Sequence, residues 1–344
     1  MVTAAAREGA PGPAPACVPA CEPACERWHH LGIDIGGSGA KVSLLDGELR
    51  VVANDLVELP DVRHDPAANR TARVEVVEHT IEEAAAAAAD GLTVGIATPG
   101  IVDADHQRIV SLPGKLAGLE GLDWREALRA RTPARYAALT GAAWPPPIAV
   151  LNDAHAAVLG EARLGAGRGC DDVVMLTLGT GVGGGVVLGG QLLEGRHRRA
   201  GHLGHISLDP RGPPSVFPTP GSLEWHVGDA YVAQRSGGRY VSNEALVAGV
   251  RRGEARARSE WRRMVRALAV GIASIVNAFD CELVILGGGL ILTGALLFDP
   301  LARELDEVEW RPNGIAVPVV PAALGRYAGS IGAALFAGER RVRT

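Results

Sequence analysis

The sequence predicts an α/β protein with parallel sheets, divided into two domains. An alanine-rich helical segment at 74–90 precedes a buried apolar strand at 92–97, and this alternation is typical of a parallel sheet covered by helices. Two apolar segments, 31–35 and 173–178, each end in a glycine-rich turn. Because 344 residues are too many for one ordinary hydrophobic core, we expect two domains.

The composition excludes several classes of function. A net charge of -5 argues against binding nucleic acid through a basic surface, which needs clustered Lys and Arg. No apolar run is long enough to span a bilayer, and the N-terminus lacks the pattern of a signal peptide. We therefore expect a cytoplasmic protein without a nucleic-acid or membrane partner.

Residues 1–29 are predicted to be a disordered extension rich in Ala, Pro and Cys, because this composition cannot bury a core. The extension and the residue after it contain evenly spaced cysteines and two histidines: Cys17, Cys21, Cys25, His29 and His30. A metal site is the alternative, although the intervening prolines oppose a helix that would align the thiols. The isolated Cys170 and Cys281 are predicted to be packing residues.

The segment 31–48 predicts a strand, a turn, a second strand, an Asp-Gly hairpin and a third strand. Asp34 lies in the first strand, and the turn that follows is rich in glycine. A structural need for positive φ would also explain such a turn. Two of them after apolar strands in one chain are much less expected by chance.

The central segment, 151–187, brings an acidic group near the second glycine-rich turn. Asn152 and Asp153 follow an apolar strand, a helix is predicted around 156–162, and the next strand breaks at glycines 179, 181 and 183. Bare backbone N–H groups in such a turn can approach a phosphate closely. A carboxylate beside a phosphate cradle indicates phosphoryl transfer, although Asp153 could instead only cap the helix.

The remaining segments complete two α/β units. We predict a strand at 148–151, an amphipathic helix at 256–279, a strand at 283–290 and a last helix at 328–336. The domains are predicted as a small one, 30–150 plus 322–344, and a large one, 151–321. His202 and His205 are predicted to be structural or to contact the substrate, and 210–222 is an irregular excursion before a helix at Leu223.

Five of these segments resemble, in order and approximate spacing, the motifs of the ROK sugar kinases. They are Asp-Ile-Gly-Gly-Ser at 34–38, Asn-Asp-Ala at 152–154, Leu-Gly-Thr-Gly at 178–181, Gly-His-Leu-Gly-His at 201–205 and Leu-Gly-Gly-Gly at 286–289. The resemblance covers roughly residues 31–338. It implies an actin-like ATPase fold, related to ribonuclease H, in which two α/β domains enclose a cleft where ATP, Mg²⁺ and a hexose meet.

The resemblance also implies the roles of individual residues. Asp153 would be the general base for the sugar hydroxyl, and Asp34 would help to hold the magnesium-phosphate end of ATP. The sugar-binding positions would be Gly100, Lys115, Asn152, Asp153, His202, His205 and Glu224. The ATP-binding positions would be Asp34, Gly36, Gly37, Ser38, Lys41, Gly179, Thr180, Gly181, Gly287, Gly288 and Gly289. A homodimer is expected from the family alone.

The sequence departs from the family at the structural zinc site. The family usually binds zinc through a histidine, here His205, and three cysteines, whose positions are occupied by Ser215, Phe217 and Ser222. We therefore expect no zinc, with the loop held by packing. His202 replaces a common glutamate, as in members that act on mannosamine-type sugars, and Lys115 lies near a common asparagine.

The function predicted from the resemblance is ATP-dependent phosphorylation of the 6-hydroxyl of a hexose or amino-hexose. Glucose, N-acetylglucosamine, N-acetylmannosamine and kanosamine remain open, as does polyphosphate in place of ATP. A ROK-type repressor is disfavoured because the short Pro/Ala-rich extension cannot form a helix-turn-helix domain. A catalytically silent sugar sensor is the other alternative, and retention of Asp34, Asp153 and both glycine-rich turns argues against it.

Overall fold

The fold of this protein is described from a computed structural model. The structure describes residues 28–37, 39–60, 65–88, 91–103, 105–112, 116–131 and 133–342. The strands are β1 His29–Ile35, β2 Gly39–Leu45, β3 Val51–Glu58, β4 Leu92–Thr98, β5 Ile101–Val102, β6 Ile109–Ser111, β7 Ile148–Asn152, β8 Val173–Leu178, β9 Val182–Leu188, β10 Gln191–Leu192, β11 Leu283–Gly287 and β12 Val319–Pro321.

The α-helices are α1 Pro66–Ala85, α2 Trp124–Arg129, α3 Ala134–Thr140, α4 Asp153–Leu164, α5 Leu223–Val227, α6 Val232–Arg235, α7 Asn243–Arg251, α8 Ala255–Phe279, α9 Ala295–Val308 and α10 Ala328–Val342. Short 3₁₀ helices lie at Leu203–His205, Asp229–Tyr231, Gly289–Thr293, Pro312–Gly314 and Gly325–Tyr327. None of the helices in the described ranges has the length and apolar character needed to cross a bilayer.

Two sheets share one topology. The first has the strand order β3-β2-β1-β4-β7 and the second has the order β10-β9-β8-β11-β12. In each sheet the first three strands pair antiparallel and the last two join in parallel. Parallel pairing aligns the carboxyl ends of β1, β4 and β7 at one edge, and those of β8 and β11 at the corresponding edge of the second sheet.

Helices α4 and α10 form a layer between the two sheets. Helix α10 packs on β1, β2 and β4 of the first sheet, while α4 packs on β8 and β9 of the second. The helices cross closely at Gly332, where a Cβ would lie only 1.7 Å from the carbonyl oxygen of Ala156. Helix α10, the last in the chain, thus packs on the first sheet, and the domain bounds 30–150 plus 322–344 and 151–321 stay predictions.

The core residues follow the predicted apolar strands. One cluster joins the first sheet to α1 through Leu31, Ile33, Val77 and Ile81. Another packs the amphipathic face of α8 against the second sheet, and its helix bounds differ from the prediction by one residue. The predicted strands at 92–97, 148–151 and 283–290 are also confirmed, the last one ending earlier, at Gly287.

Two predicted boundaries were wrong. The first long helix spans Pro66–Ala85 instead of 74–90, because Asp65 caps its first turn by accepting hydrogen bonds from the amides of Ala67 and Ala68. Strand β1 begins at His29, which pairs with Leu92, although the predicted extension included it. Cys17, Cys21 and Cys25 lie outside the described residues.

The two described cysteines agree with a packing role. Cys281 is buried in the core of the second half, and burial raises the pKa of its thiol to about 11. Cys170 is less buried, and its pKa is also raised, chiefly by burial and then by nearby carboxylates. Because the thiolate is the reactive form, neither group resembles an activated nucleophile.

Candidate active site

The first glycine-rich turn follows β1 and places a carboxylate beside a lysine. Asp34 and Lys41 are register partners in β1 and β2, and Lys41 Nζ lies 3.3 Å from Asp34 Oδ2. Gly36 N donates to Gly39 O at 2.9 Å, which closes the turn. Gly36 and Gly37 therefore lie where predicted, whereas Ser38 lies outside the described residues.

The environment of Asp34 disfavours its charge. Burial, the largest cause, and the nearby charge of Asp153 raise its pKa from 3.8 to about 6, against the lowering effect of Lys41. Helix α10 contributes to this burial, since a Cβ at Gly329 would lie 2.9 Å from Asp34 Oδ2. A cation at this place would favour the ionised carboxylate.

Asp153 lies at the start of α4, directly after β7. Asn152 caps this helix, its side-chain oxygen accepting from the amides of Ala154 and His155. The Asn152 side-chain amide donates to Gly100 O at 3.0 Å, which fixes the turn after β4. The structure thus joins three predicted sugar-site residues, Gly100, Asn152 and Asp153, at one edge of the first sheet.

The second glycine-rich turn is closed by its own backbone. Gly179 N donates to Gly181 O at 3.0 Å, and the carbonyls of Gly179 and Thr180 accept from Asp229 N and Ala230 N. In the adjacent strand β11, Gly287 pairs with Thr177 of β8, so the turns 179–181 and 287–289 follow neighbouring strand ends. These are the two predicted nucleotide-binding segments.

Glu224 lies behind the second turn. It is only 7% exposed, and its Oε2 accepts from Val182 N at 3.0 Å. This hydrogen bond attaches α5 to the strand that leaves the turn. The structure therefore gives Glu224 a positioning contact with the turn, whereas the family resemblance had implied a sugar contact.

A row of three histidines lies beyond Asp153. The rings of His155 and His202 are 5.5 Å apart, and those of His202 and His205 are stacked at 6.3 Å. Burial, followed by the neighbouring His155 and His205, lowers the pKa of His202 to about 4, while Asp153 opposes this shift. His202 is therefore a neutral imidazole at pH 7, able to donate one hydrogen bond and accept another.

The loop that carries His202 is held from the first half of the molecule. His106 Nδ1 lies 2.9 Å from the carbonyl oxygen of Val150, and His106 Nε2 lies 3.3 Å from Glu194 Oε1. Burial raises the pKa of Glu194, but the larger combined effects of His106 and Arg198 leave it below its usual value. The sequence did not reveal this connection, because its members are far apart in the chain.

The positions of the family's zinc ligands meet in the structure without forming a suitable donor set. Ser222 Oγ donates to Ser215 Oγ at 3.0 Å, and the rings of His205 and Phe217 are in edge contact at 4.6 Å. Zinc sites in proteins are built from thiolates, imidazoles and carboxylates, and these four positions offer only the imidazole of His205. This donor set does not fit zinc, and the two contacts join the loop to α5 and the histidine row.

Sequence reasoning missed Arg73, which supports the first turn. Its side chain is buried, and Nη2 donates to Gly37 O at 3.1 Å, with Gly36 O at 3.4 Å. Arg73 also donates to the side chain of Asn69, one helical turn earlier. One feature of the sequence could have indicated this role. Asn69 and Arg73 are polar, yet their spacing of four places them on the same buried face of α1 as Val77 and Ile81.

Comparison with known proteins identifies the family. The family model described as "ROK family" matches residues 30–340. The chain belongs to the ROK family. An N-acetylmannosamine kinase of Escherichia coli strain SE11 is 32% identical over 319 residues, covering 90% of this chain and 99% of the relative.

Two solved ROK structures have the same fold. A ROK hexokinase from Thermus thermophilus has a TM-score of 0.76 and 29% identity, covering 92% of this chain and all of that one. A ROK glucokinase from Streptomyces griseus, in complex with glucose and AMPPNP, has a TM-score of 0.66 and 28% identity, covering 90% and 99% of the two chains. The actin-like ATPase fold expected for this ROK protein is thereby confirmed. Lys115, another expected site residue, lies outside the described residues.

Proposed function

We propose that this sugar kinase of the ROK family transfers the γ-phosphoryl group of Mg-ATP to the 6-hydroxyl of a neutral hexose or an N-acylated amino-hexose. The observation that supports this most strongly is the position of Asp153. Asp153 begins α4 at the sheet edge that also carries Asp34. It lies two residues before His155, whose ring is 5.5 Å from that of His202. A carboxylate between Asp34 and His202 is where a base for the sugar hydroxyl is needed.

The reaction needs positioning and charge stabilisation more than covalent chemistry. In the proposed mechanism, Asp153 accepts the proton of the 6-hydroxyl as its oxygen bonds to the γ-phosphorus and the bond to ADP breaks. In this proposal the backbone N–H groups of Gly37, Thr180 and Gly181 would face the phosphates, since those of Gly36 and Gly179 close the two turns. Asn152 keeps the turn at Gly100 in place through its side-chain amide.

Magnesium fits the carboxylates of this site. Mg²⁺ prefers oxygen ligands and usually takes only one or two carboxylates, with water and substrate phosphates completing its shell. Asp34 would hold it, with the Asp153 charge nearby, and the ion would neutralise charge on the phosphates. Among the described residues, no cluster of three or more His, Cys, Asp or Glu side chains could hold a metal ion.

The identity of the sugar is the finer part of the proposal. A neutral His202 suits hydroxyl or N-acyl groups, because it provides a donor and an acceptor without a negative charge for an ammonium group. Glucose and N-acetylmannosamine, the sugars in the names of the relatives, are the first candidates, and kanosamine is disfavoured. Dimerisation remains an expectation from the family.

A coupled ADP-release assay with Mg-ATP and a panel of hexoses tests the proposal. Asp153→Asn should lower kcat by about 10²- to 10⁴-fold, the usual contribution of a general base. Asp55→Asn, the same change on exposed strand β3, should leave kcat unchanged. Turnover by Asp153→Asn at the wild-type rate would remove Asp153 from its role. Sugar binding without turnover in the wild type would favour the sensor alternative.

A further inference from the structure

A groove rich in arginine lies outside the proposed active site. The region around α6, α7 and the start of α8 contains a surface cavity of about 260 Å³ beside one of about 490 Å³, and both share Arg239 and Tyr240 as lining residues. The arginines of the smaller cavity, named here the arginine groove, are Arg235, Arg239, Arg256 and Arg263. Both cavities are open to solvent, so a dissolved anion can reach the side chains that line them.

The arginine groove has an excess of positive charge. Its four arginines face one carboxylate, Glu260, in a chain whose net charge is -5. Glu260 already pairs with Arg263. Arg239 acts electrostatically on Glu254, a carboxylate of the larger cavity that already pairs with Arg252. Five arginines line the two cavities, against the carboxylates Glu254 and Glu260 and the nearby Asp229, so positive charge exceeds negative charge here.

Arg235 is the buried member of the groove, with a side chain only 7% exposed. Its Nη1 donates to Trp225 O at 2.6 Å and to Gly228 O at 3.0 Å. Its Nε and Nη2 have no hydrogen-bond partner among the described residues, and Glu260 is 4.0 Å from Nε. Burial lowers the pKa of Arg235 to about 10. Glu260 and Asp229 balance part of its charge, but the two unused donors are costly in a buried group unless an anion accepts hydrogen bonds from them.

We propose that the arginine groove binds an anion with two or more phosphate groups. Convergent guanidinium groups are the usual partners of phosphate, because their planar forks donate paired hydrogen bonds to its oxygens. Five arginines against three carboxylates leave an excess of two positive charges, which matches a multiply charged anion better than a single carboxylate. The anion is either a free effector or part of a polyphosphate chain.

The groove is connected to the second glycine-rich turn. Arg235 holds the carbonyl of Gly228, and the next two amides, Asp229 N and Ala230 N, donate to the carbonyls of Gly179 and Thr180. An anion that draws Arg235 towards the groove would shift this segment. Binding of the anion in the arginine groove should therefore change the KM for ATP more than the KM for sugar. This expectation rests on the proposed kinase function.

Isothermal calorimetry with pyrophosphate and tripolyphosphate tests binding independently of catalysis. The protein is titrated with the nucleotide site filled by a non-hydrolysable Mg-ATP analogue. We expect binding to persist and to weaken at least tenfold in the double variant Arg239→Gln/Arg256→Gln. The matched control is Arg258→Gln/Arg262→Gln, the same charge change at exposed positions of α8 that do not line the cavities, and it should bind like the wild type.

Two results would overturn the proposal. Binding that disappears when the nucleotide site is filled would assign the anion to the glycine-rich turns. Equal weakening of binding in both double variants would show that the anion is attracted only by the general positive charge of this surface. Activity assays then separate the sources. Polyphosphate that shortens as sugar is phosphorylated is a donor, whereas an unconsumed anion that changes the KM for ATP is an effector. Absence of turnover would contradict the proposed function but leave the calorimetry valid.

Discussion

Replacing Asp34 with asparagine should stabilise the free protein while it removes activity. The carboxylate lies at the end of β1, is mostly shielded from water, and is close enough to Asp153 to feel its charge. Lys41, 3.3 Å away, compensates only in part, since the pKa remains raised to about 6. Asparagine keeps the shape of the side chain and removes the buried charge.

The magnitude follows from the pKa. The rise from 3.8 to about 6 is roughly two units, which corresponds to about 3 kcal/mol at about 1.4 kcal/mol per unit. The folded state binds the proton more tightly than the unfolded state does. The cost of the ionised carboxylate is therefore absent below pH 3.8, grows as the pH rises to about 6, and is constant above it. Loss of the Lys41 ion pair offsets part of the gain.

Urea unfolding at several pH values measures this effect. At pH 8 the Asp34→Asn variant should be more stable than the wild type by about 1–3 kcal/mol, and the difference should shrink towards pH 4.5. The exposed Asp55→Asn serves as the control and should show no such dependence. A variant less stable than the wild type at pH 8, or a gain that does not change with pH, would refute the reasoning.

Three further substitutions test individual contacts. Gly332→Ala should lower the free energy of unfolding by about 1–3 kcal/mol or more, because its Cβ would overlap the backbone of α4; an unchanged melting temperature would contradict this. Glu161→Gln should cost about 1.5–3 kcal/mol in urea unfolding, since the buried carboxylate accepts hydrogen bonds from three backbone amides, and full stability would show that an amide satisfies them equally well. Phe217→Ala should raise the KM for sugar with a stability loss of only about 1 kcal/mol, because it removes the ring that contacts His205. Val216→Ala is its exposed control, and an equal change of KM in both variants would exclude a specific role for the ring.

The sequence predicted best what depends on local pattern. The strand that contains Asp34, the strand before Asp153 and the helix Ala255–Phe279 each show a clear apolar pattern, and their positions are confirmed. The first long helix was misplaced because its start was judged from apolar residues, whereas the capping pair Asp65 and Pro66 determines it.

The sequence could not predict which polar residues would meet across long distances. Arg73 reaches the turn at Gly36 and Gly37, and His106 reaches Glu194, yet neither pair has a recognisable motif. The family resemblance assigned His205 and Phe217 to the positions of one zinc site, but the edge contact between their rings depends on side-chain packing. Such contacts depend on tertiary structure, so local propensity does not report them.

The repeated topology explains why both halves contribute to one site. Each half ends in a helix that crosses to the sheet of the other half, since α4 follows β7 but packs on β8 and β9, and α10 follows β12 but packs on β1 and β4. The start of α4 places Asp153, and the start of α10 packs against Asp34 at Gly329. Any movement of one sheet relative to the other must therefore change the packing of α4 against α10. Because Gly332 allows no added methyl group at that crossing, the distance between Asp34 and Asp153 is coupled to the packing of α4 on α10. Gly332→Ala should consequently reduce kcat at temperatures where the variant is fully folded. A folded variant with the wild-type kcat would show that the packing of α4 on α10 does not affect catalysis.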